Sequence, residues 1–333
     1  MTVDILTSTN YFLISLARVA DVNGLDTIRL LQKTDINPAL LRQPGLRVNT
    51  KKLAHFVWLL SNELKDESLG QCRSPNPPGT FYTMGELAVH QPNLQQAMNR
   101  GVRFHQQVVD GYSINLVVDE KTATIRIHQP RLDLDPDHLL TDLVLLALHR
   151  FYSWLIGDNI TLSSVFFAYS RPPHADEYRL LFPCERKFSQ SYSGFSFPAL
   201  YLNKPVIQNP DKLKAFMYEC PLKIFMRPQS DRSISTQVQE EIQHNLNNGG
   251  PSLSFVSTEL GLSNRTLRRK LANEGTAFQA LKDTMRRDLA VYYLSQKSLS
   301  VSDVAEKLGF SEPGVFVRAF KKLDGVTPGA YKK

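Results

Sequence analysis

Cysteine is scarce: three residues in 333 (Cys72, Cys184, Cys220), odd in number, far apart and without a Cys-x-x-Cys. That argues against a disulfide framework or a thiolate metal site and suits the reduced thiols of a cytosolic protein. Long apolar runs are missing too. The longest, Leu139 to Ile156, carries Asp142, His149 and Arg150 and falls short of the roughly 20 apolar residues that span a bilayer. The first residues hold Asp4 and no basic start, and the apolar stretch from Tyr11 breaks at Arg18. Neither a secretory signal nor a membrane partner is expected. There is no Gly-x-Ser-x-Gly elbow, no Gly-x4-Gly-Lys phosphate loop and no His-Glu-x-x-His, so the common signatures of enzymes are absent. Asp133, Asp135 and Asp137 alternate as in a calcium loop, but the places that need glycine and glutamate hold His138 and Val144. Helix capping is the better account, and no catalytic group, metal or cofactor is expected.

Acidic residues are in deficit at one end only. Residues 251–333 hold 14 Lys and Arg against 8 Asp and Glu, whereas residues 1–250 hold 25 against 24. Such asymmetry points to a polyanionic partner.

The same basic end repeats itself. Thr258-Glu259-Leu260-Gly261-Leu262-Ser263 leads into Arg265-Thr266-Leu267 and Arg269-x-Leu271, closing at Gly275. Glu306-Lys307-Leu308-Gly309-Phe310-Ser311 leads into Val315-Phe316 and Arg318-x-Phe320, closing at Gly325. A helix, a glycine turn and a second helix with outward arginines describe a helix-turn-helix, which fits a DNA major groove. Ser252 and Ser263 are placed as N-caps, with Phe255, Val256 and Leu260 inward on the first helix. On the second, Leu267 and Leu271 share one face; at 100° per residue Arg265 and Arg269 fall opposite, flanked by Thr266 and Arg268. In the second copy Ser311 is placed to cap, Phe316 and Phe320 face in, and Gly314, Arg318 and Lys321 face out, with Lys322 beside them. Gly314 takes the place of Arg265, so the first module is expected to read sequence and the second mainly to hold phosphates.

Between the copies Thr276 with Gln279 suggests a capping box opening a helix to about Gln296. Some 20 helical residues reach roughly 30 Å, near the ~34 Å between successive major-groove faces. Ser300 with Asp303 opens the following helix, and Tyr331 is expected to pack back on the core. The DNA-contact candidates are Ser263, Asn264, Arg265, Thr266, Arg268, Arg269, Gly314, Arg318, Lys321 and Lys322.

Arg227 to Ser233 lacks periodicity and reads as a linker. Before it, Leu25–Leu41, Lys51–Leu64, Asn93–Val108 and Asp135–Ile156 read as helices; Tyr112–Val118, Ala123–His128, Val165–Tyr169 and Phe195–Leu202 read as strands. The fold class is therefore an α+β N-terminal regulatory domain, helices on a small antiparallel sheet, over 1–225. A linker follows at 226–233, then an all-α DNA-binding domain over 234–333 with two helix-turn-helix motifs joined by a long helix. His149, Arg150 and Tyr152, polar residues on a mostly apolar helix, are candidates to line an effector cavity.

Leu260-Gly261-Leu262-Ser263-x-Arg265-Thr266-Leu267-x-Arg269, Gly275, Leu308-Gly309-Phe310-Ser311-Glu312-Pro313, Phe316-x-Arg318-Ala319-Phe320-Lys321, Gly325-x-Thr327-Pro328 and Tyr331 resemble the DNA-binding domain of AraC/XylS-family transcription regulators. Gly314 departs from the small polar residue usual there, softening the helix start by under ~1 kcal/mol. Arg29 to Arg47, Leu94-Gln95-Gln96-Ala97, Pro173 to Tyr178, Phe182-Pro183-Cys184 with Phe188, and Leu202-x-x-Pro205 resemble, more loosely, the arabinose-binding-like N-terminal domain of that family's ornithine-regulator and VirS-like branch. The resemblance implies a cytoplasmic regulator, an activator rather than an effector-released repressor or a constitutive binder. It also implies double-stranded promoter DNA, RNA polymerase, a small-molecule effector and a second copy of the chain as partners, and it identifies no ligand.

Overall fold

Short polar side chains mark most helix starts in the computed structural model, which describes residues 7–129, 131–226, 233–245, 250–296 and 298–332. The order opens with β1 (Thr7–Thr9), α1 (Asn10–Val22), α2 (Thr27–Lys33), β2 (Arg47–Asn49), α3 (Thr50–Leu64), α4 (Thr80–Val89) and α5 (Leu94–Val108). Then come β3 (Ser113–Val118), β4 (Thr122–His128), α6 (Leu139–Ile156), β5 (Ser164–Phe166), α7 (Tyr178–Leu181), β6 (Glu185–Lys187) and β7 (Ser193–Pro198). Helices finish the chain: α8 (Pro210–Tyr218), α9 (Leu222–Phe225), α10 (Ile234–His244), α11 (Leu253–Glu259), α12 (Asn264–Asn273), α13 (Phe278–Leu294), α14 (Val301–Lys307) and α15 (Pro313–Asp324). The expected 226–233 linker lies largely outside the described residues.

Contacts group the chain into two units. One gathers Met1–Ile14, Leu31–Leu53 and Asp231–Lys333; the other holds Ser15–Leu30 and Ala54–Ser230. The units do not follow the sequence order, because early segments join the C-terminal helices.

The second unit is the α+β part. Its five-stranded sheet runs β3-β4-β7-β5-β6, antiparallel throughout except for the parallel β5–β6 pair. Alternation puts Ile114, Ile125 and Ile127 on the buried face, and Phe195 and Phe197 on β7 complete it. Asn93 caps α5 by accepting the Gln96 N–H. Asp135, buried, accepts the N–H groups of Leu140 and Thr141 at the start of α6, so one member of the acidic triplet serves the helix start, while His138 holds the N-cap position and Asp133 and Asp137 pair with Arg131 and Arg18. Among the described residues α6 is the one helix long and apolar enough to cross a membrane, yet 83% of it is buried inside the protein. The strand expected over Phe195–Leu202 ends at Pro198 and turns into a 3-10 helix at Ala199–Asn203. α4, α7, β6, α8 and α9 answer to no expected element.

The first unit has an apolar cluster of Val238, Ile242, Val256, Leu267, Leu271, Leu281 and Met285, which ties α10–α12 to α13. The carboxylate of Glu274 accepts the Ile234 and Ser235 N–H groups at the start of α10, where a helix leaves donors unpaired. A second cluster is aromatic, with Phe316 5.4 Å from Phe310 and 5.6 Å from Phe320, and Phe320 5.7 Å from Tyr331. Tyr331 packs back as expected and donates its hydroxyl to Asp324. The antiparallel β1–β2 pair reaches α13: Thr7 Oγ1 donates to Asp288 Oδ1 at 2.6 Å, and the Arg47 guanidinium holds Thr7 O at 2.7 Å and Asp288 Oδ1 at 3.3 Å. The Arg47 N–H donates to the Tyr331 hydroxyl at 3.0 Å. The expected helix over Leu25–Leu41 is broken by Asp35 at φ +53° and by Pro38, leaving α2 and a 3-10 turn at Pro38–Leu41.

Candidate DNA interface

Both helix-turn-helix units are built by local chemistry. Ser252 accepts the Phe255 N–H and starts α11; Val256 then faces the core, while Leu260 is half-buried. Phe255, expected inward, is 41% exposed; the buried face of α11 carries Val256 and Ser257 instead. Gly261 turns the chain at φ +64°, a conformation that costs glycine nothing. Ser263 accepts the Thr266 N–H and opens α12. The Asn264 side chain accepts a hydrogen bond from Ser257 Oγ, pinning α12 to α11. Leu267 and Leu271 are fully buried, and Arg265, Arg268 and Arg269 stand exposed.

The second unit repeats the plan. Ser300 and Asp303 form the expected capping box at α14, and Gly309 turns at φ +77°. α15 begins one residue later than expected: Glu312 is its N-cap without a side-chain bond, and Pro313 supplies the fixed φ of the first turn. Ser311 therefore does not cap it. Phe316 and Phe320 are buried, whereas Gly314, Arg318, Lys321 and Lys322 are exposed. Among the described residues no ion pair takes any of these six cations, so their charge is left to the solvent side.

The connecting helix departs from expectation. Its N-cap is Ala277, without a side-chain bond, so the Thr276–Gln279 box is absent; Gln279 instead donates to Asp283. α13 has 17 residues, which reach about 25 Å. That is short of the ~34 Å groove repeat, so its length alone does not set the spacing of the two reading helices.

The effector candidates are used inside the protein. His149 Nε2 lies 2.7 Å from the Ile160 carbonyl, and Arg150 donates to the Met226 and Leu181 carbonyls and meets His149 Nδ1. Burial holds His149 down near 3, so it stays neutral at physiological pH. Tyr152 is 1% exposed, beside Gly101 and Met84. None of the three lines the partly open cavity of about 330 Å³ bordered by α3, α4, α5, β3, α6 and α9. Residues that do line it, among them His105, Asn76 and Tyr112, were not singled out from sequence. One signal for His105 was available: it falls on the buried stripe of α5 with Leu94, Ala97, Met98, Gly101 and Val102. The cysteine thiols are pushed up by burial, Cys72 to about 11 and Cys184 and Cys220 to about 12, opposite to an activated nucleophile.

Two helix-turn-helix units, each with a buried apolar face and an exposed cationic one, define a duplex-DNA-binding regulator. Residues 24–206 match the N-terminal arabinose-binding domain of AraC transcription regulators, and residues 256–333 match a helix-turn-helix domain. An HTH-type transcriptional regulator of Mycobacterium tuberculosis is 32% identical over 96% of this chain and 94% of its own. The ornithine utilization regulator of Pseudomonas aeruginosa is 26% identical over 93% of this chain and 91% of its own. The transcriptional activator NphR of Rhodococcus is 37% identical over 29% of each chain. The chain belongs to the AraC family of transcription regulators.

Proposed function

We propose that this regulator activates transcription by placing α12 and α15 on promoter DNA, under the control of a small molecule bound in its N-terminal part. The observation that carries the DNA-contact residues is the sorting of each helix into two faces: Leu267 and Leu271, or Phe316 and Phe320, are buried, with unpaired cations opposite. Arg265, Arg268 and Arg269 supply donors for guanine edges or phosphates, with Ser263 and Thr266 at the helix start. Asn264 contributes by fixing α12 on α11. On α15, Arg318, Lys321 and Lys322 hold phosphates, and Gly314 allows close approach without a reading side chain. Activation is favoured by the name of the Rhodococcus relative, which matches this chain only over its DNA-binding part. Sensing is assigned to residues 1–225 and DNA binding to 234–333, with contact to RNA polymerase and pairing with a second copy as family expectations. Control requires the ligand to favour one arrangement of the protein over another, since equal affinity for both shifts nothing.

Selection of preferred sites from random duplexes tests the division of labour. Arg269→Ala should lose ~1–3 kcal/mol on the preferred site and relax its sequence. Arg318→Ala should weaken all sequences alike. Equal relaxation by both variants refutes the assignment, and a promoter reporter that rises when the gene is deleted refutes activation.

A further inference from the structure

The cavity in the α+β unit is built largely from apolar side chains, including Val57, Phe104, Leu143 and Ile224. Its volume, about 330 Å³, lies at the small end of the roughly 300–1,000 Å³ usual for ligand sites. Two polar groups in its wall are left without partners. His105 is 6% exposed, and neither ring nitrogen finds a hydrogen-bond partner among the described residues. Asn76 is 4% exposed, and its Oδ1 is likewise unpaired. Buried polar groups are nearly always hydrogen-bonded; these atoms lie out of reach of water in the cavity wall, so a group that fills the cavity reaches them once the His105 and Asn76 side chains turn toward it.

The charge of the wall narrows the ligand. Among the described residues no Lys or Arg lines the cavity. The Glu67 carboxylate is committed, accepting the Gly79 N–H at 2.6 Å and the Phe81 N–H at 2.8 Å. Burial pulls His105 down to about 4, so its imidazole is neutral at physiological pH and offers one donor and one acceptor. A carboxylate or phosphate would find no cation here among the described residues.

We propose that this cavity binds an uncharged, mainly apolar molecule of small size, whose single hydroxyl or carbonyl is held by His105 and Asn76. The proposal rests on the reading of the chain as a ligand-controlled regulator, and it names the site and class of that ligand. Tyr112, whose ring lies 4.5 Å from that of His105, holds the imidazole in place. Ala147 lies on the α6 wall, where a larger side chain would occupy the space.

Calorimetric titration of the full-length protein with 1-octanol, 2-octanone and octanoate tests this. The alcohol and the ketone should bind, and octanoate should bind at least about tenfold more weakly. His105→Leu should weaken the alcohol and ketone by about tenfold without lowering the melting temperature of the free protein, because it removes an unpaired buried group. Ala147→Phe should abolish binding of both. Equal binding of octanoate, indifference to His105→Leu, or no binding of any of the three overturns the site. Promoter affinity measured in parallel separates the two readings. Binding with the expected variant effects but unchanged promoter affinity keeps the site and removes the regulatory role. A charged metabolite that changes promoter affinity equally in wild type, His105→Leu and Ala147→Phe keeps ligand control and removes this site.

Discussion

Asp288→Ala should be among the most damaging single changes in the first unit. Its partner Arg47 has a side chain 1% exposed, so the guanidinium has no water to turn to. Removing one member of a buried pair costs about 3–5 kcal/mol, since the remaining charge is stranded. The lower end applies here. The Arg47–Asp288 separation is 3.3 Å, Arg47 keeps the Thr7 carbonyl, and Asp324 supplies a second carboxyl nearby whose ionisation Asp288 now opposes. A loss of about 3 kcal/mol corresponds to roughly 6–12 °C in the melting of a unit this size. The triple variant Thr7→Val, Arg47→Met, Asp288→Leu removes both charges and the hydroxyl between them, and should lie within about 1–2 kcal/mol of wild type. Denaturant melts of the full chain, read at the C-terminal helices, measure both. If Asp288→Ala costs under about 1 kcal/mol, or the triple variant is as damaged as the single, the stranded-charge reasoning is wrong.

Asp142, fully buried and accepting the hydroxyls of Tyr169 and Tyr178, is pushed by burial up to about 8. The folded state then holds a proton that the unfolded chain releases near 4, so stability should fall as pH rises from about 4 to about 8, at up to about 1.4 kcal/mol per pH unit. Asp142→Asn should flatten that slope in pH-dependent melts; an unchanged slope removes Asp142 as the cause. Ser263→Ala deletes the α12 cap and should cost ~1 kcal/mol with a matching loss of promoter affinity; no effect on either would show that the Ser257–Asn264 bond suffices. Promoter affinity should fall with salt at a log–log slope of roughly −3 to −5, given the six exposed candidate cations Arg265, Arg268, Arg269, Arg318, Lys321 and Lys322. Lys322→Ala should reduce that slope by about 0.9, and a flat salt response would exclude both helices from phosphate contact.

The DNA-binding end was legible because its determinants are local. Ser252, Ser263 and the Ser300–Asp303 box each act within three residues, and the Leu267–Leu271 and Phe316–Phe320 spacings declare the buried faces outright. Errors arose where one local signal competed with another. Thr276 lost its cap to an Ala277 start, and Pro313 fixed the first turn of α15 without help from Ser311. Long-range pairing was invisible, since nothing near Thr7 or Arg47 announces Asp288, 281 residues from Thr7. The cavity failed for a related reason. His149 and Arg150 looked functional as polar residues on an apolar helix, but carbonyls from distant segments use them. His105 looked ordinary, and only the folded wall leaves it without a partner.

The β1–β2 pair docked on α13 has a consequence for biosynthesis. Thr7 and Arg47 leave the ribosome long before the helix that completes their hydrogen bonds, Asp288 lying 281 residues after Thr7. Until then the early strands carry a buried-type arginine with nothing to neutralise it, while the intervening stretch from Ala54 to Ser230 can already fold upon itself. The unit that carries the helix-turn-helix motifs therefore closes only once α13 has been made, and a nascent chain halted before it lacks the partner of Thr7 and Arg47.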